Sequence, residues 1–120
     1  MAVRTPAQTY IGSENLLYQV TGLLNGDSSL SIQDTASGDR TVQVTGTFGV
    51  GGTVIVEGSL DPAQTPTNWY QLKDPGGTLI SFTAAGLKAV LENVPHIRFR
   101  VTAGDGTTDI TGTVSVRKGR

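Results

Sequence analysis

Cysteine is absent from all 120 residues. That excludes disulfides, thiolate ligands and thiol nucleophiles, and leaves the redox compartment unread. Charge is scarce too: Asp, Glu, Lys and Arg make up 16% of the chain, against a usual share of about 25%. They nearly cancel, at a net −1, so no whole-chain field draws the protein to nucleic acid or to an acidic membrane. No run approaches the ~18 apolar residues of a membrane span. The opening MAVRTPAQTY lacks the apolar stretch of a cleaved signal, so the expectation is synthesis in a cytoplasm without export by a signal peptide.

What remains is glycine, threonine and valine. The apolar share of 37%, taken with 16 glycines, falls in the ordinary globular range, and the length suits one domain around one core. A surface built from Thr, Ser, Gln and Asn loses less to desolvation against a partner than a charged one does.

The dominant pattern is period two. In TVQVTGTF, Val42, Val44 and Phe48 share a face with Gly46. In TVIVEGSL, Val54, Val56 and Leu60 oppose Thr53, Ile55, Glu57 and Ser59. In HIRFRVT, Ile97, Phe99 and Val101 oppose Arg98 and Arg100, and in DITGTVSVR, Ile110, Val114 and Val116 oppose Thr111, Thr113, Ser115 and Arg117. Each reads as a half-buried antiparallel strand. Weaker strands are expected at Leu16–Thr21, Leu30–Gln33, Trp69–Lys73 and Thr78–Phe82. Turn signals separate them: NGD at 25–27, SGD at 37–39, GVGG at 49–52, DPGG at 74–77 and GDG at 104–106. The pattern predicts an all-β antiparallel sandwich of about eight strands, in Ig-like or jelly-roll order. GVGG is expected to close a hairpin between the flanking runs, and Gly46 and Gly58, on inward positions, to mark bulges or close backbone approaches. Leu87, Val90, Leu91 and Val94 have helix-like spacing before Pro95, which predicts a short helical turn over 84–93. Residues 1–15 read as an extended arm, loosely packed or lying on a neighbour, 16–116 as the sandwich, and 117–120 as a basic tail.

Residues able to carry chemistry are few. His96 is the one histidine; its parity places it outward beside Arg98 and Arg100, with no nucleophile motif near it and no cluster of metal ligands in its neighbourhood, so it reads as a surface histidine. Glu14, Glu57 and Glu92 are scattered. GDGTTD at 104–109 spaces Asp105, Thr107 and Asp109 like the start of a calcium loop, but position twelve is Val116 and not a carboxylate. The residues therefore predict no enzyme, no metal and no cofactor. Of the adjacent Trp69 and Tyr70, one points inward and one outward; an exposed ring there is a candidate platform for a sugar. The tail residues Arg117, Lys118 and Arg120 are either solvated or a basic handle for an acidic partner surface.

The segments VQVTGTFG, VEGSLDP with the following NW, ISFTAAG and IRFRVTAGDGTTDITGTVSV, spread over residues 40–116, resemble a family of small β-sandwich virion proteins of tailed bacteriophages. The resemblance implies a head decoration or cement protein. Such a protein sits on the capsid exterior, binds the major capsid protein, forms a homo-oligomer, often a trimer, and ties capsomers together. It implies no catalytic residue. The contact candidates are Arg4, Tyr10, Arg98, Arg100, Arg117, Lys118 and Arg120, on a sandwich whose flexible chain ends can order on neighbours. The rival expectations are a connector or tail-associated virion protein, and a carbohydrate-binding module using Trp69 or Tyr70.

Overall fold

Alternating Val and Thr suit the pleated strand, where a branched side chain packs well, better than a helix. The computed structural model describes residues 2–11, 15–29, 31–33 and 37–118, and within these the side chains of all but 10, 11, 15, 33, 37, 38 and 118. Among the described residues there are twelve strands and no helix: β1 (Val3–Arg4), β2 (Ala7–Ile11), β3 (Asn15–Leu23), β4 (Ser28–Ser29), β5 (Ile32–Gln33), β6 (Ser37–Thr47), β7 (Thr53–Ser59), β8 (Tyr70–Gln71), β9 (Ser81–Phe82), β10 (Gly86–Ala89), β11 (His96–Ala103) and β12 (Asp109–Lys118). They form two sheets, β1-β4-β11-β7-β8 with β5 and β9 as side pieces, and β10-β6-β12-β3-β2. The pairing is antiparallel except for β1 beside β4.

The expected all-β antiparallel sandwich is what forms. The count exceeds eight because edge positions are built from interrupted pieces. β4 and β5 lie in line along one side of β11, and β8 and β9 along one side of β7. The expected helical turn over 84–93 is not there. Residues 86–89 pair with β6 as β10, with Leu87 opposite Gln43. Leu87 and Leu91 face solvent, while Val90 is buried and Val94 packs half-buried against the core, so the helix-like spacing joins four residues of which only two meet the core. The N-terminal segment, expected as a loose or partner-bound arm, pairs within its own chain: β1 with β4 and β2 with β3. Asp27 fastens it, accepting from the N–H of Ala2 and of Leu24 at 2.9 Å and from Arg4 Nε at 3.0 Å. Burial by itself would raise this carboxyl; the two backbone N–H groups and the guanidinium outweigh it and hold it below the ordinary value.

GVGG was expected to close a hairpin, and it does not; the GDG turn does not close one either. β6 and β7 lie in different sheets, as do β11 and β12. Both glycine turns carry the chain from one sheet to the other, and they clip together at one end of the sandwich. Val50 N–H donates to Asp105 Oδ2 at 2.8 Å, and Thr108 Oγ1 donates to Phe48 O at 2.8 Å. Asp105 is thus a loop clip, with its other oxygen accepting from Thr107 Oγ1 at 2.6 Å and from Thr107 N–H at 2.9 Å. These bonds, the Thr107 hydroxyl foremost, lower its pKa to about 2 from 3.8. A carboxylate with a depressed pKa stabilises the fold above its unfolded value and stops doing so as pH falls through its folded one. The Val50 amide resonance is therefore expected to titrate with a midpoint near 2; a midpoint at about 4 would show that the clip does not form. SGD does not form the expected turn either. It opens β6, where Asp39, at φ 48°, is the extra residue of a bulge against β12.

The sheets bury Val42, Val44, Ile110, Val114 and Val116 from one side against Val54, Val56, Ile97, Phe99 and Val101 from the other. Phe99 fills the middle. Its ring lies over Gly112, where a Cβ would come within 2.7 Å of it, so the close approach needs glycine. Gly58 is buried as expected, while Gly46 is exposed and makes the expected close backbone approach within its own sheet. A side chain at Gly46, at φ 115°, would meet the Asp109 carbonyl, and one at Gly58 would meet Val94 and Leu72.

Candidate interaction surface

β7 and β11 are neighbours in register, Glu57 opposite Arg98, Ser59 opposite His96 and Ile55 opposite Arg100. Since cross-strand partners share a face, these side chains gather on the outer side of the first sheet. Glu57 sits among them with its carboxylate nearly buried. Its Oε1 accepts from Arg98 Nε at 2.9 Å and lies 2.8 Å from Nη2, and its Oε2 accepts from Arg100 Nη1 at 3.4 Å. The Arg98 guanidinium lies 4.3 Å from the centroid of the Trp69 ring, a cation–π stack that holds the guanidinium plane still.

A roof covers one end of this face. After β7 the chain loops back through residues 61–69, and Asp61 ties the loop's two ends. Its Oδ2 accepts from the N–H of Thr67 and of Asn68 at 2.9 Å each, and its Oδ1 from Asn68 Nδ2 at 3.1 Å. Asn68, by its backbone N–H and its side chain, is the main cause of a lowered Asp61 pKa. Trp69 closes the loop by donating Nε1–H to Pro66 O at 3.1 Å. His96 pins it from below. Asp61 O is an acceptor only, so the 2.9 Å contact requires the proton on His96 Nε2, and Ser31 then donates its hydroxyl to Nδ1 at 2.7 Å.

This corrects the reading of His96 as a surface residue. Its parity with Arg98 and Arg100 is as expected, yet it is 5% exposed, because the 61–69 loop folds over that end of the face. Arg98 and Arg100 are not free outward charges either: both bind Glu57, with 20% and 45% of their side-chain surfaces exposed. Trp69 is half-buried with one ring face taken by Arg98, which removes that face as a sugar platform. Tyr70 is the outward ring, 71% exposed. Arg4, on β1, is engaged by Asp27. Arg117 is exposed near the end of β12 in the other sheet, so the structure does not bring it to this cluster. The side chains of Tyr10 and Lys118, and the whole of Arg120, lie outside the described residues.

Sequence reasoning missed the parts played by Glu57, Asp61 and Ser31. The parity of Glu57 was visible, but its partners become visible only once β7 is known to lie beside β11.

No protein-family model matches the chain, and no curated protein sequence matches it. Solved structures do share its shape. A cupin domain from Bordetella pertussis Tohama I superposes with a TM-score of 0.54 at 13% identity, covering 98% of this chain and 96% of that one. The g-type lysozyme inhibitor PliG of Aeromonas hydrophila gives 0.47 at 13% identity over 99% and 100%. Peruvianin-I, a cysteine peptidase from Thevetia peruviana latex, gives 0.45 at 17% identity, with 88% of this chain and 51% of that one covered. The cupin likeness concerns the β-sandwich fold alone. Among the described residues the space between the sheets is filled by Phe99 and the valines around it, and the clefts described below lie on the outside.

Proposed function

We propose that this protein is a structural component of a bacteriophage particle, bound to the outside of the capsid shell as a decoration or cement protein. One observation carries the reading furthest: the sandwich interior is closed by apolar side chains, so recognition falls to the outer faces and edges of a rigid, sparsely charged body. The strand orders β3-β12-β6-β10 and β4/β5-β11-β7-β8/β9, with the β3–β4, β6–β7 and β11–β12 turns each crossing between sheets, we read as a jelly roll, an architecture that viral capsid domains share with lectins and cupins. The resemblance over residues 40–116 supplies the viral context. The partner is the major capsid protein, and the protein acts as a homo-oligomer, a trimer, whose several weak contacts on neighbouring capsomers reinforce one another.

The test mixes purified protein with shells lacking it and measures co-sedimentation and shell rupture temperature. Saturable binding at a fixed ratio to capsid subunits, with rupture shifted upward, is expected. A protein that stays in the supernatant at every ratio would contradict the proposal.

One observation favours a second reading, a glycan-binding module. Tyr70 stands exposed at the rim of a cleft of about 350 Å³ lined with Leu60, Leu72 and Val94, the arrangement of an aromatic beside an apolar wall that docks a sugar face. That reading predicts saturable hits on a glycan array, lost in Tyr70→Ala.

A further inference from the structure

A second outer cleft, of about 480 Å³, opens between the first strand and the 61–69 roof. Val3, Ser28, Ser31, Thr65, Trp69 and Arg98 line it. We propose that it is a carboxylate-binding site, formed for an Asp or Glu side chain on an extended segment of a partner protein. The inference rests on the preceding reading for the identity of that partner, but the chemistry stands on the cleft.

Charge is the first argument. Glu57 brings one carboxylate to two guanidiniums, that of Arg98, which lines the cleft, and that of Arg100, which does not, so the three together keep one positive charge beside it. No acidic side chain lines the cleft among the described residues. The carboxylates nearby, Asp27 and Asp61, are engaged by N–H groups of their own chain.

Preorganisation is the second. Arg98 is fixed between the Glu57 carboxylate and the Trp69 ring, so little freedom is lost when it meets a second anion. A guanidinium has five N–H donors in a planar fork, and its contact with Glu57 uses Nε and one Nη. The third argument is the lining. Ser28 and Thr65 bring hydroxyl groups, and Val3 and Pro66 give an apolar bed for the methylene stem of the incoming side chain. β1 is the outermost strand of its sheet, an edge along which an extended segment can lie.

Trp69 is the chain's one tryptophan, so intrinsic fluorescence reports from the cleft wall. The full-length protein is titrated with a blocked Gly-Ser peptide carrying three glutamates, with its glutamine counterpart, and with free glutarate. A saturable change with the glutamate peptide is expected, weakened by salt because the contact is an ion pair near the surface, and absent with the glutamine peptide. Thr65 is exposed; Thr65→Glu should abolish the response with the melting temperature unchanged. Arg100→Gln should weaken binding about tenfold.

An equal response to both peptides, or an unchanged response in Thr65→Glu, would overturn the site. Glutarate binding as tightly as the peptide would overturn the partner segment and make the ligand a free acid. Peptide binding retained by a protein that ignores shells would count against the capsid reading alone. Shell binding retained in Thr65→Glu would count against the cleft alone.

Discussion

Phe99→Ala is expected to destabilise the protein by about 3–5 kcal/mol and to lower its melting temperature by roughly 10–20 °C. Phe99 is fully buried at the centre of the core, and its ring rests on the bare backbone of Gly112 across the sandwich. The sheets are held apart by their other core residues, Val42, Val44 and Val114 on one side and Val54, Val56 and Val101 on the other, so the site cannot collapse onto the missing ring. The complementary change, Gly112→Ala, places a methyl 2.7 Å from that ring and should also destabilise, by about 1–3 kcal/mol for overpacking. Thermal denaturation followed by circular dichroism measures both. A Phe99→Ala variant melting within a few degrees of the parent would show that the two sheets do not pack as described.

Glu57→Gln is expected to produce the second largest effect, a loss of about 2–3 kcal/mol. Breaking a fully buried pair by removing one partner costs about 3–5 kcal/mol, and the figure is reduced here because Arg98 and Arg100 keep 20% and 45% of their side-chain surfaces in solvent. The neutral amide leaves two guanidiniums facing each other with no anion between them. Arg98 should then leave the Trp69 ring, so the fluorescence spectrum should shift along with the stability. In a double-mutant cycle with Arg98→Met, the second substitution should cost far less in the Glu57→Gln background than alone. Strict additivity would mean that the short Glu57–Arg98 contact carries no energy.

The long strands could be read from the sequence because their alternation is intrinsic. Val42, Val44, Ile97, Phe99, Val114 and Val116 announce their face whatever lies beside them. Strand partnership cannot be read that way. The turns at 49–52 and 104–106 have the glycines of a hairpin, yet each crosses between sheets, because β6 pairs with β12 and β7 with β11, partners far away in sequence. The helix expected near Leu87 failed for a related reason. Helical spacing fits equally an edge strand with outward Leu87 followed by a bend with outward Leu91, and the edge of β6 supplied the backbone partners of residues 86–89.

The candidate surface was half legible. Parity placed Arg98, Arg100 and His96 on one face, which they share. It could not reveal that residues 61–69 roof part of that face, since a loop's path depends on its anchors, here Asp61 on Thr67 and Asn68 and His96 on Asp61. Nor could it set Glu57 between the two arginines before β7 was known to neighbour β11.

The proposed role sets the outer surface of this sandwich against a virus shell. Quantitative mass spectrometry of purified particles, counting this chain against the major capsid subunit, tests it most directly. One chain per capsid subunit, or per few subunits, is the predicted result. A handful of copies per particle would move the protein to the neck or tail, and its complete absence from particles would contradict the account.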